Sequence, residues 1–147
     1  MNESRLLHYG CVQRVQSALW GGETERAEAA LEQILEAALS FYHQYREYSY
    51  HLILAGFFTG LGYPVQSERE TGYGRSDLII PDPARSRCLI LELKHVKEES
   101  EMEDALREVS GQIVEKKYDS RLRYEGYEKR LRYGMAFCDK KVRIIKV

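Results

Sequence analysis

The stretch GRSDLIIPDPARSRCLILELKH, residues 74 to 95, holds two short apolar runs, SDLII and CLILELK, separated by PDPARS. Runs of this length, rich in aliphatic residues and bounded by Gly, Pro, Asp and Ser, read as strands joined by a loop. Along a strand every second side chain shares a face. Cys88, Ile90, Glu92 and Lys94 therefore point one way, and Leu89, Leu91 and Leu93 the other. A core gains nothing from an acid and a base on such a strand unless they are paired or hold an ion. If Asp77 lies on the paired neighbour, its carboxylate converges with that of Glu92, with the Lys94 ammonium beside them.

Working outward, VQSERE (65 to 70) is a third β-prone run. TGYGR (71 to 75) suits a hairpin tip, so three consecutive strands form a meander. Upstream, residues 3 to 20 and 23 to 40 read as two helices broken by Gly21 and Gly22, the second with Ala30, Leu31, Ile34, Leu35 and Ala38 at helical spacing. A third helix is expected from about Gln44 to Leu61, with Tyr48, Leu52, Ala55 and Phe58 on one stripe, stopped by GYP at 62 to 64. Downstream, helical spacing returns from Glu99 to about Tyr118 through Met102, Leu106, Val109 and Ile113, with acids in the first turn, where they suit the helix dipole. The end, YGMAFCDKKVRIIKV, reads as two strands joined at Asp139 and Lys140.

A chain of 147 residues, 44% apolar and 31% charged, is long enough for one domain with a real core. It has no apolar run able to cross a bilayer and no secretory signal pattern, so a cytoplasmic address is expected and a membrane partner is not. The cysteines, Cys11, Cys88 and Cys138, are odd in number and scattered, which suggests neither a disulfide framework nor a zinc site. The net charge of −1 hides an asymmetry: residues 1 to 110 carry 11 Lys+Arg against 18 Asp+Glu, and residues 111 to 147 carry 11 against 5. The basic segment, interleaved with Tyr118, Tyr124, Tyr127 and Tyr133, reads as a nucleic-acid track or as a solvated face.

Two carboxylates suit magnesium or manganese, which bind through one or two acids and keep waters or substrate phosphates in the remaining positions. Such an ion polarises a phosphoryl oxygen and acidifies a water, while a lysine orients that water and offsets developing charge. Phosphodiester hydrolysis is the natural reaction. The competing structural interpretation of Glu92 and Lys94 is an edge strand with one solvated face. His51 is set aside as a core or boundary histidine.

The order Asp77, then Glu92-Leu93-Lys94, then a helix containing QIVEKKY (112 to 118) resembles the PD-(D/E)XK nuclease superfamily. More closely, YREYSYHLILAGFFTGLGYPVQSERETGYGRSDLIIP (45 to 81), with ILELK and QIVEKKY, is similar to the C-terminal nuclease-like domain of bacterial proteins that carry an AAA ATPase-like domain ahead of it. The resemblance covers roughly residues 40 to 147. It implies an α/β fold with a restriction-endonuclease-like core, a mixed central sheet flanked by helices. Residues 1 to 40 would then be a helical hairpin packed on it, and 41 to 147 the nuclease-like domain.

By the same resemblance, Asp77 and Glu92 hold Mg2+, or Mn2+ in its place, together with the Leu93 carbonyl. Lys94 acts on the water, Glu47 is a first-helix acid near the metal, and Gln112 and Tyr118 support the site or the scissile phosphate. Arg75, Lys116 and Lys117 are candidate phosphate contacts. Two departures stand out: Ser76 replaces the proline before Asp77, and Gly111 falls inside a helix at a cost of about 1 kcal/mol relative to alanine, for which close backbone approach is one reason. The family's ATPase-like part has no counterpart in these residues, which leaves an ATPase-like partner or a homodimer open. The leading expectation is a metal-dependent nuclease acting on DNA. The alternatives are a catalytically idle nucleic-acid-binding or regulatory module with the same fold, and a dimerisation domain built on the N-terminal helices.

Overall fold

A computed structural model describes residues 3–38, 47–70, 75–115, 122, 123 and 125–147. Helices α1 (Glu3–Gly21) and α2 (Thr24–Ala38) form a hairpin. The turn between them depends on Gly22, whose φ of 76° places it in the left-handed region. Around it Glu23 N–H donates to Ala18 O at 2.9 Å and Gly22 N–H to Leu19 O at 3.4 Å, closing the last turn of α1. Helix α3 (Glu47–Gly60) follows, stopped at GYP as the sequence indicates.

Five strands then form one sheet: β1 (Gln66–Glu70), β2 (Arg75–Asp82), β3 (Arg87–His95), β4 (Lys129–Cys138) and β5 (Lys141–Lys146), in spatial order β1-β2-β3-β4-β5. The first three make the expected antiparallel meander. Helix α4 (Met102–Glu115) lies between β3 and β4, which pair in parallel, and β5 returns antiparallel to β4. A short 3-10 turn, Glu99–Glu101, leads into α4, with Glu98 and Glu101 capping each other's backbone. The mixed sheet between helices is the α/β, restriction-endonuclease-like architecture that the resemblance implied. Among the described residues no helix is long and apolar enough to cross a membrane.

One face of the sheet carries Leu78, Ile80, Leu89, Leu91, Leu93, Leu131, Tyr133, Met135, Phe137, Val142 and Ile144, all buried in the main core with α1, α2 and α3. The hairpin is fixed to this face by polar contacts as well. Arg87 donates to buried Asp82 at 2.8 Å and stacks 4.0 Å from the centre of the Trp20 ring. On α2, Glu28 and Glu32 accept the Ile144 and Val142 amide hydrogens at 2.7 and 3.2 Å, and Glu36 pairs with Lys140 at 3.3 Å. These three acids recur every fourth residue, so a single stripe of α2 runs along the β5 edge.

Among the described residues two apolar clusters lie on the opposite face, with Val109 of α4 resting on Gly134 between them. Val96, Met102, Ala105, Ala136 and Cys138 cluster under α4 at one end. Ile79, Cys88, Ile90 and Leu122 cluster at the other. Along β3 the run Cys88, Ile90, then Glu92, Lys94, then Val96 therefore passes from one apolar cluster to the next, and the two charged positions fall in the gap.

Several expectations change. Among the described side chains of α3, Tyr50, His51, Leu54 and Phe58 are buried, so Phe58 lies as expected, while Leu52 is half exposed and the Tyr48 side chain is outside the described residues. This helix is apolar nearly all round, so its periodicity does not select a face. Strand β2 continues through Pro81 and Asp82, leaving only Pro83–Arg85 as a turn. Proline is tolerated there because β1 pairs only as far as Ile79, and Pro81 lies beyond its end. Strand β4 begins at Lys129 rather than Tyr133, extended by parallel pairing with all of β3. Tyr133 is fully buried and donates its hydroxyl hydrogen to the Leu19 carbonyl, so it belongs to no nucleic-acid track. Among the described residues a Cβ at Gly111 would meet nothing within 4 Å, so no close approach found there accounts for that glycine. The three cysteines are buried thiols. The hairpin tip at residues 71–74, as well as Tyr118 and Tyr124, lies outside the described residues.

Candidate active site

Asp77 and Glu92 are direct partners across the β2–β3 ladder. Opposed residues in an antiparallel pair have Cβ atoms about 4.5 to 5.5 Å apart, so two carboxylates stand side by side on one face. Both are buried, at 3% and 0% exposure. Strand β3 has β2 on one side and β4 on the other, which removes the solvated edge-strand interpretation. Like charges directly opposed and withdrawn from water are costly. The pairing has the donor chemistry of a hard-cation site.

Lys94, two residues beyond Glu92 on the same face, reaches toward α4, with Nζ 3.8 Å from Glu108 Oε2. The sequence did not single out Glu108. It lies one helical turn before Gln112, and residues four apart on a helix share a stripe, but that spacing carries no information on its distance from Lys94. Gly134 was also missed. It is the β4 partner of Glu92, and a Cβ there would sit 2.7 Å from Val109 Cγ2 and 3.2 Å from Ile145 Cγ2. Only a glycine lets α4 settle this closely on the sheet, and that seating brings the turn holding Glu108 within reach of Lys94.

The remaining candidates are placed unequally. Leu93 is fully buried between Glu92 and Lys94 on β3. Arg75 is the cross-strand partner of Lys94, Glu47 opens α3 and Gln112 lies in α4; the side chains of these three are outside the described residues. Glu47 is one turn before Tyr50, whose ring stacks on His95 with centroids 5.6 Å apart, so the start of α3 sits at the end of β3 that carries Lys94. Lys116, Lys117 and Tyr118 lie outside the described residues altogether. His51 is buried with its Nε2 3.0 Å from Ser67 Oγ, on the face away from Glu92, where it links α3 to β1.

Among the described residues no group of three or more His, Cys, Asp or Glu side chains converges as a metal cage. The two paired carboxylates nevertheless fit an ion such as Mg2+, which is held by one or two acids and keeps waters. No curated protein and no solved structure matches this chain. A family model described as the PD-(D/E)XK nuclease superfamily matches residues 45–147, from just before α3 to the end of β5. That span takes in all five strands together with Asp77, Glu92 and Lys94. The chain belongs to the PD-(D/E)XK nuclease superfamily.

Proposed function

We propose that the protein is a metal-dependent nuclease that hydrolyses phosphodiester bonds, with DNA as its substrate. The observation that carries this is the direct pairing of buried Asp77 with buried Glu92, with Lys94 on the same face, in the gap between two apolar clusters. Asp77, Glu92 and the Leu93 carbonyl hold Mg2+, or Mn2+ in its place. The chemistry such an ion supplies is neutralisation of phosphoryl charge and acidification of a water. Lys94 orients the attacking water and offsets the charge that builds on the phosphoryl oxygens. Hydrolysis forms one P–O bond to water and breaks one P–O ester bond, leaving a phosphomonoester and an alcohol.

Glu47, Gln112 and Tyr118 support the metal or the scissile phosphate, and Arg75, Lys116 and Lys117 take the flanking phosphates. Residues 1 to 40 serve as a packed extension of the nuclease-like part, 41 to 147. Asp77, Glu92 and Lys94 come from one chain, so a second copy or an ATPase-like partner would add to the site rather than supply these three residues.

The test is a panel of plasmid, linear, single-stranded and branched DNA, with RNA as comparison, incubated with Mg2+, Mn2+ or chelator. Cutting that needs metal and is absent from Glu92→Gln supports the proposal. Lys94→Ala should cut at least about a hundredfold more slowly while binding DNA in Ca2+ within a few-fold of wild type. Metal-independent binding with no cleavage of any substrate would favour an idle binding module.

A further inference from the structure

We propose that Glu108 is a positioning residue that holds the Lys94 ammonium toward α4, so that a divalent cation, rather than the lysine, neutralises Asp77 and Glu92. The catalytic consequence rests on the nuclease proposal above; the effect on cation binding does not.

Lys94 and Glu92 are two positions apart on one face of β3, about 6.6 Å along the strand at 3.3 Å per residue. Asp77, opposite Glu92, is the diagonal neighbour of Lys94, a separation that long side chains span. The ammonium is thus tethered within reach of both acids and competes for them with any added cation. An ammonium settled between two buried carboxylates satisfies them electrostatically and makes the site a structural salt bridge.

The structure shows a contact that opposes this collapse. Lys94 Nζ lies 3.8 Å from Glu108 Oε2, with the lysine side chain 19% exposed and the glutamate 41%. The partner comes from α4, and it is within range because Gly134 lets that helix sit against the strand next to Glu92. A half-exposed ion pair at this distance is weak. It biases the lysine by a factor of about five at most, so it tilts the competition without locking the side chain. A bias of that size also leaves the ammonium able to turn toward a phosphate when one arrives.

Calorimetric titration with Mn2+ alone, without nucleic acid, tests this on wild type, Glu108→Gln, Lys94→Met and the double variant, each first shown to melt cooperatively. Glu108→Gln should weaken Mn2+ binding by up to about fivefold, and Lys94→Met should tighten it. In the Lys94→Met background, Glu108→Gln should change the affinity by less than about twofold, because the glutamate acts through the lysine. An undiminished effect in that background would show that Glu108 attracts the ion directly, and no effect in the wild-type background would also overturn the proposal. Wild type that fails to bind Mn2+ overturns it together with the metal site, whereas Mn2+ binding with the expected coupling but no DNA cleavage overturns only the nuclease proposal. If cleavage is observed, the rate lost in Glu108→Gln should return at saturating Mn2+, which a residue needed in the chemical step would not allow.

Discussion

Glu92 and Gly134 stand opposite one another across the parallel β3–β4 ladder, so the most deeply buried acid of the site borders the strand position on which α4 rests. Catalytic geometry and helix packing therefore share one point of the sheet. Gly134→Ala would place a methyl group 2.7 Å from Val109 Cγ2, on a short and rigid side chain. We expect a loss of about 1 to 3 kcal/mol of stability in urea denaturation, the usual range for overpacking. Combining it with Val109→Ala should cost less than the sum of the two single changes. An additive result would mean that α4 does not bear on Gly134.

Metal should stabilise the fold through the paired acids. A ligand that binds only the folded state raises its stability by mass action. Mg2+ or Mn2+ should therefore raise the melting temperature of wild type, and Asp77→Asn and Glu92→Gln should lose most of that rise. Equal shifts in all three proteins would place the ion elsewhere.

Tyr133 should make the protein sensitive to alkali. Burial pushes its phenol from the ordinary 10.0 up to about 12, against a smaller opposing effect of a backbone hydrogen bond. Below about pH 10 both folded and unfolded states keep the proton, and the full contribution is present. Between about pH 10 and 12 the unfolded chain loses it first, so stability falls with a slope of up to about 1.4 kcal/mol per pH unit. Tyr133→Phe should cost about 1 kcal/mol at neutral pH through the lost bond to the Leu19 carbonyl. The gap between the two stability curves should narrow above pH 10. A gap that stays constant to pH 12 would refute the assignment.

The glutamates of α2 should protect the backbone of β5. Glu28→Ala removes the acceptor of the Ile144 amide, and Glu32→Ala that of the Val142 amide. Each should cost about 1 to 2 kcal/mol, and hydrogen exchange at the amide concerned should accelerate. Exchange at both sites that stays at the wild-type rate would show that the helix merely lies nearby.

The acid-x-lysine triplet was legible in the sequence because a period of two is stiff: an acid inside CLILELK interrupts the face that Cys88 and Ile90 begin, while the leucines on either side define the other face. Asp77 on the neighbouring strand followed from the short hairpin, although its register opposite Glu92 was only one of the available pairings. The stripe of α3 was misread at Leu52 because apolar residues surround the helix, so burial of Tyr50 and Leu54 is decided by the sheet below and not by the pattern. Leu131 and Tyr133 were hidden among Arg130, Arg132 and Lys129, where alternation is easily taken for a solvated basic face. Glu108 and Gly134 depend on how one element sits upon another, and no local pattern encodes that distance.

The α2 stripe along β5 makes the two borders of the sheet unequal. Strand β1 ends the sheet on the other side, with β2 as its only strand neighbour among the described residues. Filaments that grow by strand addition need an acceptor at each border, so that every added molecule offers a new one. Here a row of carboxylates already occupies one border, and a second molecule joining at β1 would bury the remaining border of both. Stacking through the sheet would stop at two copies. A fragment cut down to residues 45–147 would lose that restraint, and its β5 border would be open to strand addition.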